Sequence, residues 1–218
     1  MKVLDHGFVR LVDSMGDDTS IVRSARVSYD AEWRAGDDKG SDRRLLRYLW
    51  NNGHTSPFEA VTATFEVKAP IFVARQWMRH RTQSYNEVSA RYTELPEEIY
   101  VPALDQITTQ STDNKQMRTD QVHTEAQKIQ NCIRETDQSQ FDAYKVLLEM
   151  GCPRELARGV LPVNTYTHFF ATANLNNWLK FLNERQHEHA QYEIRVYADA
   201  INELLKNIVP ETMEIYTG

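Results

Sequence analysis

Thirteen consecutive residues hold the groups best suited to chemistry: Arg79-His80-Arg81-Thr82-Gln83-Ser84-Tyr85-Asn86-Glu87-Val88-Ser89-Ala90-Arg91. Three arginines and one glutamate make the segment +2 with histidine neutral, inside a 218-residue chain of net charge −6. A local positive cluster of this kind suits a bound anion. Arginine's planar fork donates paired hydrogen bonds to phosphate, which lysine cannot copy. Ser84, Asn86 and Ser89 add short neutral donors and acceptors that can orient a polar ligand. Ser89 with His80 as base could be read as a nucleophile pair. No acidic partner for His80 is evident and no G-x-S-x-G elbow is present, so shared phosphate binding with Arg91 suits Ser89 better.

Other candidates lie outside the segment. Arg158 follows Glu155 by three and could simply pair with it, and Arg185 could be a solvated helix residue. His54 and Ser56 precede Pro57, at the expected start of a strand. His187 and His189 suggest a metal, but on a helix two residues at i and i+2 point about 200° apart, so no metal site is expected. His189 lies four residues after Arg185, on the same helical face. Cys132 and Cys152 lack metal-type spacing and read as reduced structural thiols. The eight glycines form neither G-x-G-x-x-G nor a Walker loop, so a dinucleotide's phosphates would have to rest on side chains.

The string R-H-R-x-x-S-x-N-E-x-S-x-R over residues 79–91 resembles the motif of the flavin-dependent thymidylate synthases. Gly53-His54-Thr55-Ser56-Pro57-Phe58-Glu59 is similar to a second segment of that family. Pro153-Arg154-Glu155-Leu156-Ala157-Arg158 with Leu161-Pro162, and Arg185 with His189-Ala190-Gln191, are similar to two more. The resemblance implies methylation of dUMP to dTMP, with methylenetetrahydrofolate as carbon donor, FAD as cofactor and NADPH as its reductant. It implies that dUMP meets Gln76, Trp77, Met78, Arg79, Glu87, Val88, Ser89, Ala90, Arg91, Arg158 and Arg185. The same resemblance implies that Arg158 takes the phosphate and that Arg185 is the catalytic group, a guanidinium beside uracil that would stabilise charge at N3 and O4. FAD is expected at Ser56, Arg79, His80, Arg81, Glu87, Asn174, Asn176, Lys180 and His189, with His54 on the folate side. The family commonly has Asn-x-Arg where this chain has Asn174-Leu175-Asn176, and Asn or His at Lys180, so those flavin contacts must use different groups. Neither cysteine lies in a matched motif, which counts against a cysteine attacking the uracil ring. The resemblance also implies a homotetramer with shared sites.

Two rival readings stand beside this one. An arginine-rich nucleotide- or RNA-binding module could clamp a strand with Tyr85, Tyr92 and the arginines. The acidic net charge argues against a nucleic-acid polymer. The other rival is a different flavin enzyme, or a relative without synthase activity.

The elements that must position these groups fit an α+β class, one domain over 1–218 with a small, mainly antiparallel sheet flanked by long helices. Asp17-Asp18-Thr19 should cap a helix over 21–27, and Ser41 a second one through Trp50 that ends near Gly53. Val61 to Val67 alternates and reads as a strand. Pro70 fits the first turn of a helix running toward His80, with Gln76, Arg79 and His80 on one face and Ile71, Ala74 and Met78 on the other. Residues 104–118 read as a surface loop, 119–149 as a long helix, 164–172 as a strand and 175–207 as mostly helical. No apolar stretch approaches the roughly 20 residues that span a bilayer. The N-terminus lacks the apolar core of a signal peptide, so a cytoplasmic protein is expected.

Overall fold

The computed structural model describes residues 1–218. Its strands are β1 (Lys2–Val3), β2 (Gly7–Met15), β3 (Thr62–Pro70), β4 (Ser84–Glu87), β5 (Thr108–Gln110), β6 (Arg118–Val122) and β7 (Tyr166–Asn174). Its helices are α1 (Asp18–Arg26), α2 (Lys39–Asn51), α3 (Ile71–Trp77), α4 (Ala126–Glu149), α5 (Arg154–Ala157), α6 (Leu175–Arg185), α7 (Tyr192–Leu205) and α8 (Pro210–Thr217). Five strands form one antiparallel sheet in the order β1-β2-β3-β7-β4, and β5 and β6 pair as a separate hairpin. The class is α+β, as expected.

Alternation along β3 sorts its side chains by face. Ala63, Phe65, Val67 and Ala69 are buried, and β7 sets Ala173, Ala171 and Phe169 opposite the first three on the same face. The helices α3, α6 and α7 cover that face. Trp178 of α6 stands edge-on to Phe65 at 4.9 Å and donates its Nε1–H to the Ala63 carbonyl at 3.0 Å. Trp77 of α3 packs against Phe169, Phe181 and Tyr197. Burial of each such side chain is worth about 1.5–3 kcal/mol. Across the sheet, Thr64 and Thr172 share a hydroxyl hydrogen bond at 2.8 Å. A second, smaller cluster of Phe141, Tyr144 and Ala157 joins α4 to α5.

Several boundaries differ from the sequence reading, each for an identifiable reason. Helix α1 is capped by Asp17, as its acidic start suggested, and Ser20 accepts the Asp17 N–H in return to complete a capping box. Helix α2 is capped by Asp38 rather than Ser41, whose N–H donates to the Asp38 carboxylate at 3.0 Å. The chain leaves α2 through Gly53 at φ 66°, a left-handed turn that glycine adopts without strain. Ser56 starts a short 3-10 helix, Ser56–Ala60, and not a strand. Pro70 ends β3 and caps α3 instead of sitting in its first turn. The expected loop 104–118 holds β5 and the start of β6, so α4 begins at Ala126, well after 119. Strand β7 runs two residues further, to Asn174. The helical stretch from 175 breaks between Arg185 and Tyr192. Cys132 is exposed on α4 and Cys152 half-buried, so Cys132 has no structural packing role. No helix is long and apolar enough to cross a membrane.

Candidate functional site

Helix α3 stops at Trp77, which changes how the motif is presented. Met78 to Thr82 form a turn, so Arg79 and His80 are not on a helical face with Gln76 as periodicity suggested. Two motif residues hold this turn. The Tyr85 hydroxyl lies 3.1 Å from the Trp77 carbonyl and 2.9 Å from the His80 carbonyl, and shares its proton between them. Buried Gln83 accepts the Trp77 Nε1–H at 3.0 Å. Burial pushes the Tyr85 phenol up to about 12, so it stays a donor. Sequence reading missed both roles. Gln83 carries no role in the sequence reading, and Tyr85 enters it only as a stacking group in the nucleic-acid-binding alternative. The Trp–x5–Gln spacing alone carries no recognisable signal.

His80 meets Arg185 across 105 residues of sequence. The Arg185 Nε–H donates to His80 Nε2 at 2.9 Å, and Nη2 donates to the Gln76 carbonyl at 3.2 Å. Nε2 is therefore the acceptor and the ring proton sits on Nδ1. Burial, and then the adjacent Arg185 charge, push His80 down to about 4, so the ring is neutral near pH 7. Burial also lowers Arg185 from its ordinary value. Arg185 thus caps the last turn of α3 and is locked by two acceptors, neither of which cancels its charge. Arg79, Arg81, Arg158 and Arg185 all lack a carboxylate within ion-pair distance. Glu155 pairs with Arg91 at 3.5 Å and leaves Arg158 free, so the alternative in which Glu155 pairs with Arg158 is not the one formed.

Beyond the turn, β4 presents Ser84 and Asn86 opposite Thr172 and Phe170, and Glu87 opposite Phe169. The Thr167 hydroxyl donates to Glu87 Oε1 at 2.5 Å. Val88 continues the pairing through its N–H to the His168 carbonyl at 2.8 Å. Ser89 opens a turn in which its Oγ accepts the Arg91 N–H at 3.3 Å. Ala90 is half-buried beside it. Trp77, expected at the nucleotide, has a fully buried side chain, so only its backbone could face a ligand. Met78 packs against the core.

Most of the remaining expected residues lie toward the start of α6, while Arg158 opens a short 3-10 helix, Arg158–Val160, directly after α5. Asn174 caps α6 by accepting the Asn177 N–H at 3.0 Å, and buried Asn176 donates its amide to Glu59 at 3.1 Å. Asn176 therefore ties α6 to the 3-10 helix that begins at exposed Ser56. Lys180 is exposed midway along α6. His54 stacks on Tyr48 at 5.8 Å. From Asn176 to Arg185 the helix spans roughly 14 Å at 1.5 Å per residue. His189 sits in the break after α6, which ends the expected shared face with Arg185. There the His187 and His189 rings approach to 4.7 Å, so the helical argument for their separation fails. No group of three or more His, Cys, Asp or Glu is arranged to hold a metal ion. A cleft of about 590 Å³ opens between the β5–β6 hairpin and this break, lined by Gln106, Arg118, His189, Gln191 and Arg195 among others. Of the expected residues, only His189 reaches it.

A family profile described as thymidylate synthase complementing protein matches residues 10–211. The chain is 47% identical over 216 residues to the flavin-dependent thymidylate synthase of Thermotoga neapolitana, covering 99% of this chain and 93% of that one. It is 49% identical over 210 residues to the flavin-dependent thymidylate synthase of Thermus thermophilus, covering 96% and 75%. The crystal structure of a UMP/dUMP methylase, PolB from Streptomyces cacaoi, bound with 5-Br dUMP, matches with a TM-score of 0.89 at 37% identity, covering 100% of this chain and 97% of that one.

Proposed function

The chain belongs to the flavin-dependent thymidylate synthases, and from that premise we propose which of its residues serve the methylation of dUMP to dTMP. The assignment rests on one observation above the others. Arg185 is half-buried, without a carboxylate partner, and aimed by His80 Nε2 and the Gln76 carbonyl. A preorganised donor in a partly desolvated site stabilises developing charge far better than water does. We assign it to the uracil, where it supports negative charge spreading over N3 and O4. Arg158, Arg91 and Ser89 take the nucleotide phosphate, and Gln76, Arg79 and the segment Glu87 to Arg91 complete its site.

The residues present fit a flavin dinucleotide. Its diphosphate needs uncompensated cations, and exposed Arg79 and Arg81 provide them without a glycine-rich loop. Neutral His80 adds a polar edge between them without a second positive charge. When bound, the flavin supplies hydride equivalents, with NADPH as reductant and methylenetetrahydrofolate as the carbon source. No hydrogen bond joins either cysteine to the motif: Cys132 lies on α4, and the Cys152 thiol lies 3.8 Å from the Pro153 carbonyl beside the Phe141 cluster. That supports activation of the uracil by charge rather than by an enzyme thiol.

Ser56, Asn174, Asn176 and Lys180 complete the flavin set, and an extended dinucleotide is long enough to bridge the roughly 14 Å along α6 between Asn176 and Arg185. The homotetramer with sites shared between chains is what the family resemblance implies, and we propose it on that ground.

The test is dTMP formation with each substrate and cofactor omitted in turn, on the wild type and on Arg185→Lys. The lysine keeps a charge but cannot donate from two fork positions at once. Methylation should fall by roughly 10²–10³-fold while NADPH still reduces the flavin. Methylation at close to the wild-type rate would remove Arg185 from the uracil.

A further inference from the structure

Gln76 is the end of a chain of side chains that begins in the β5–β6 hairpin. Glu193, in the first turn of α7, is buried although charged. Its Oε1 accepts the Tyr100 hydroxyl at 3.1 Å and Arg118 Nη2 at 3.1 Å. Its Oε2 accepts Gln191 Nε2 at 2.8 Å, and Gln191 Oε1 accepts Gln76 Nε2 at 2.5 Å. Arg118 is itself fixed. Its Nη1 donates to the Gln106 carbonyl at 3.1 Å, and its guanidinium lies 5.4 Å from the Tyr192 ring centre.

The direction of these bonds is set at one end. A carboxylate only accepts, whereas an amide accepts at its oxygen and donates at its nitrogen. Glu193 therefore obliges Gln191 to turn its nitrogen inward and its oxygen toward Gln76. Gln76 must then turn its own nitrogen to Gln191. The opposite orientation would set two carbonyl oxygens against each other with no proton between them.

We propose that Glu193 is a positioning residue for the nucleotide, fixing through Gln191 the orientation of the Gln76 amide so that its carbonyl oxygen faces the bound base. An acceptor there matches N3–H, the only N–H left on the uracil once N1 carries the sugar. This rests on the assignment of Gln76 to dUMP. It gives the hairpin, which carries none of the expected site residues, a role in the site through Arg118. A buried carboxylate held by an arginine adds little net stability, and such groups are retained in some proteins because they enforce one arrangement.

The experiment compares Gln191→Leu, Glu193→Gln, their double mutant and Gln76→Ala in the flavin-loaded enzyme, reading bound flavin by absorbance and KM for dUMP against kcat. Gln191→Leu cuts the relay while leaving the Glu193, Arg118 and Tyr100 cluster in place. It should raise KM for dUMP about tenfold, the effect of one misdirected hydrogen bond, with kcat within about twofold and flavin content unchanged. Glu193→Gln should move KM the same way, and the double mutant should be no worse than the weaker single mutant because both break one path. An unchanged KM in Gln191→Leu beside a raised KM in Gln76→Ala would overturn the relay alone. An additive double mutant would also overturn it. An unchanged KM in Gln76→Ala would overturn both the relay and the placing of Gln76 at the nucleotide.

Discussion

The His80 imidazole has an ordinary pKa of 6.5, and burial followed by the Arg185 charge takes it down to about 4 in the folded chain. Between those values the unfolded chain binds a proton that the folded chain does not. Stability is therefore fully present above pH 6.5 and falls as pH drops toward 4, where the loss is complete. A shift of that size corresponds to roughly 3 kcal/mol at about 1.4 kcal/mol per unit. The ring is only half-buried, so solvent screening brings the expected loss to about 1–2 kcal/mol. The assay is an NMR titration of the His80 ring protons from pH 8 to 4, assigned with His80→Asn, alongside urea melts at each pH. Wild-type His80 should remain neutral through pH 5. In Arg185→Ala its midpoint should rise by about one unit or more, because a like charge is gone and water gains access. The melts of His80→Asn should lose less stability than wild type across the same window. A wild-type His80 that titrates between pH 6 and 7 would refute the reasoning, and so would a midpoint unmoved by Arg185→Ala.

Arg81→Ala should give a folded but largely colourless protein, because Arg81 has no carboxylate partner whose loss would disturb the fold; full flavin retention at low FAD concentration would place the diphosphate elsewhere. Gln83→Leu removes the buried acceptor of the Trp77 Nε1–H and should lower stability by about 1–3 kcal/mol in urea melts. A change below about 0.5 kcal/mol would mean that the Tyr85 hydroxyl alone holds the turn.

Much of this protein is written locally in its sequence. The arginines of residues 79–91 announce an anion site by charge, and the lack of a glycine-rich loop rules out the usual backbone cradle. The capping box at Asp17 and the alternation of β3 are legible because their energies depend on neighbours a few residues away. The same local rules extended α3 to His80 and joined α6 to α7. They fail there because the deciding partners are distant or of unremarkable type. Where α3 ends at Trp77, the Tyr85 hydroxyl satisfies the Trp77 carbonyl and Gln83 accepts the Trp77 indole N–H, which fixes the turn that follows. Arg118 on β6 reaches the buried Glu193, 75 residues onward, in a segment whose polar composition suggested only a loop. The protonation of His80 belongs to tertiary structure for the same reason. A histidine between two arginines is charged or neutral according to what encloses it: burial decides first, and the charge of Arg185, at the far end of another helix, adds to it.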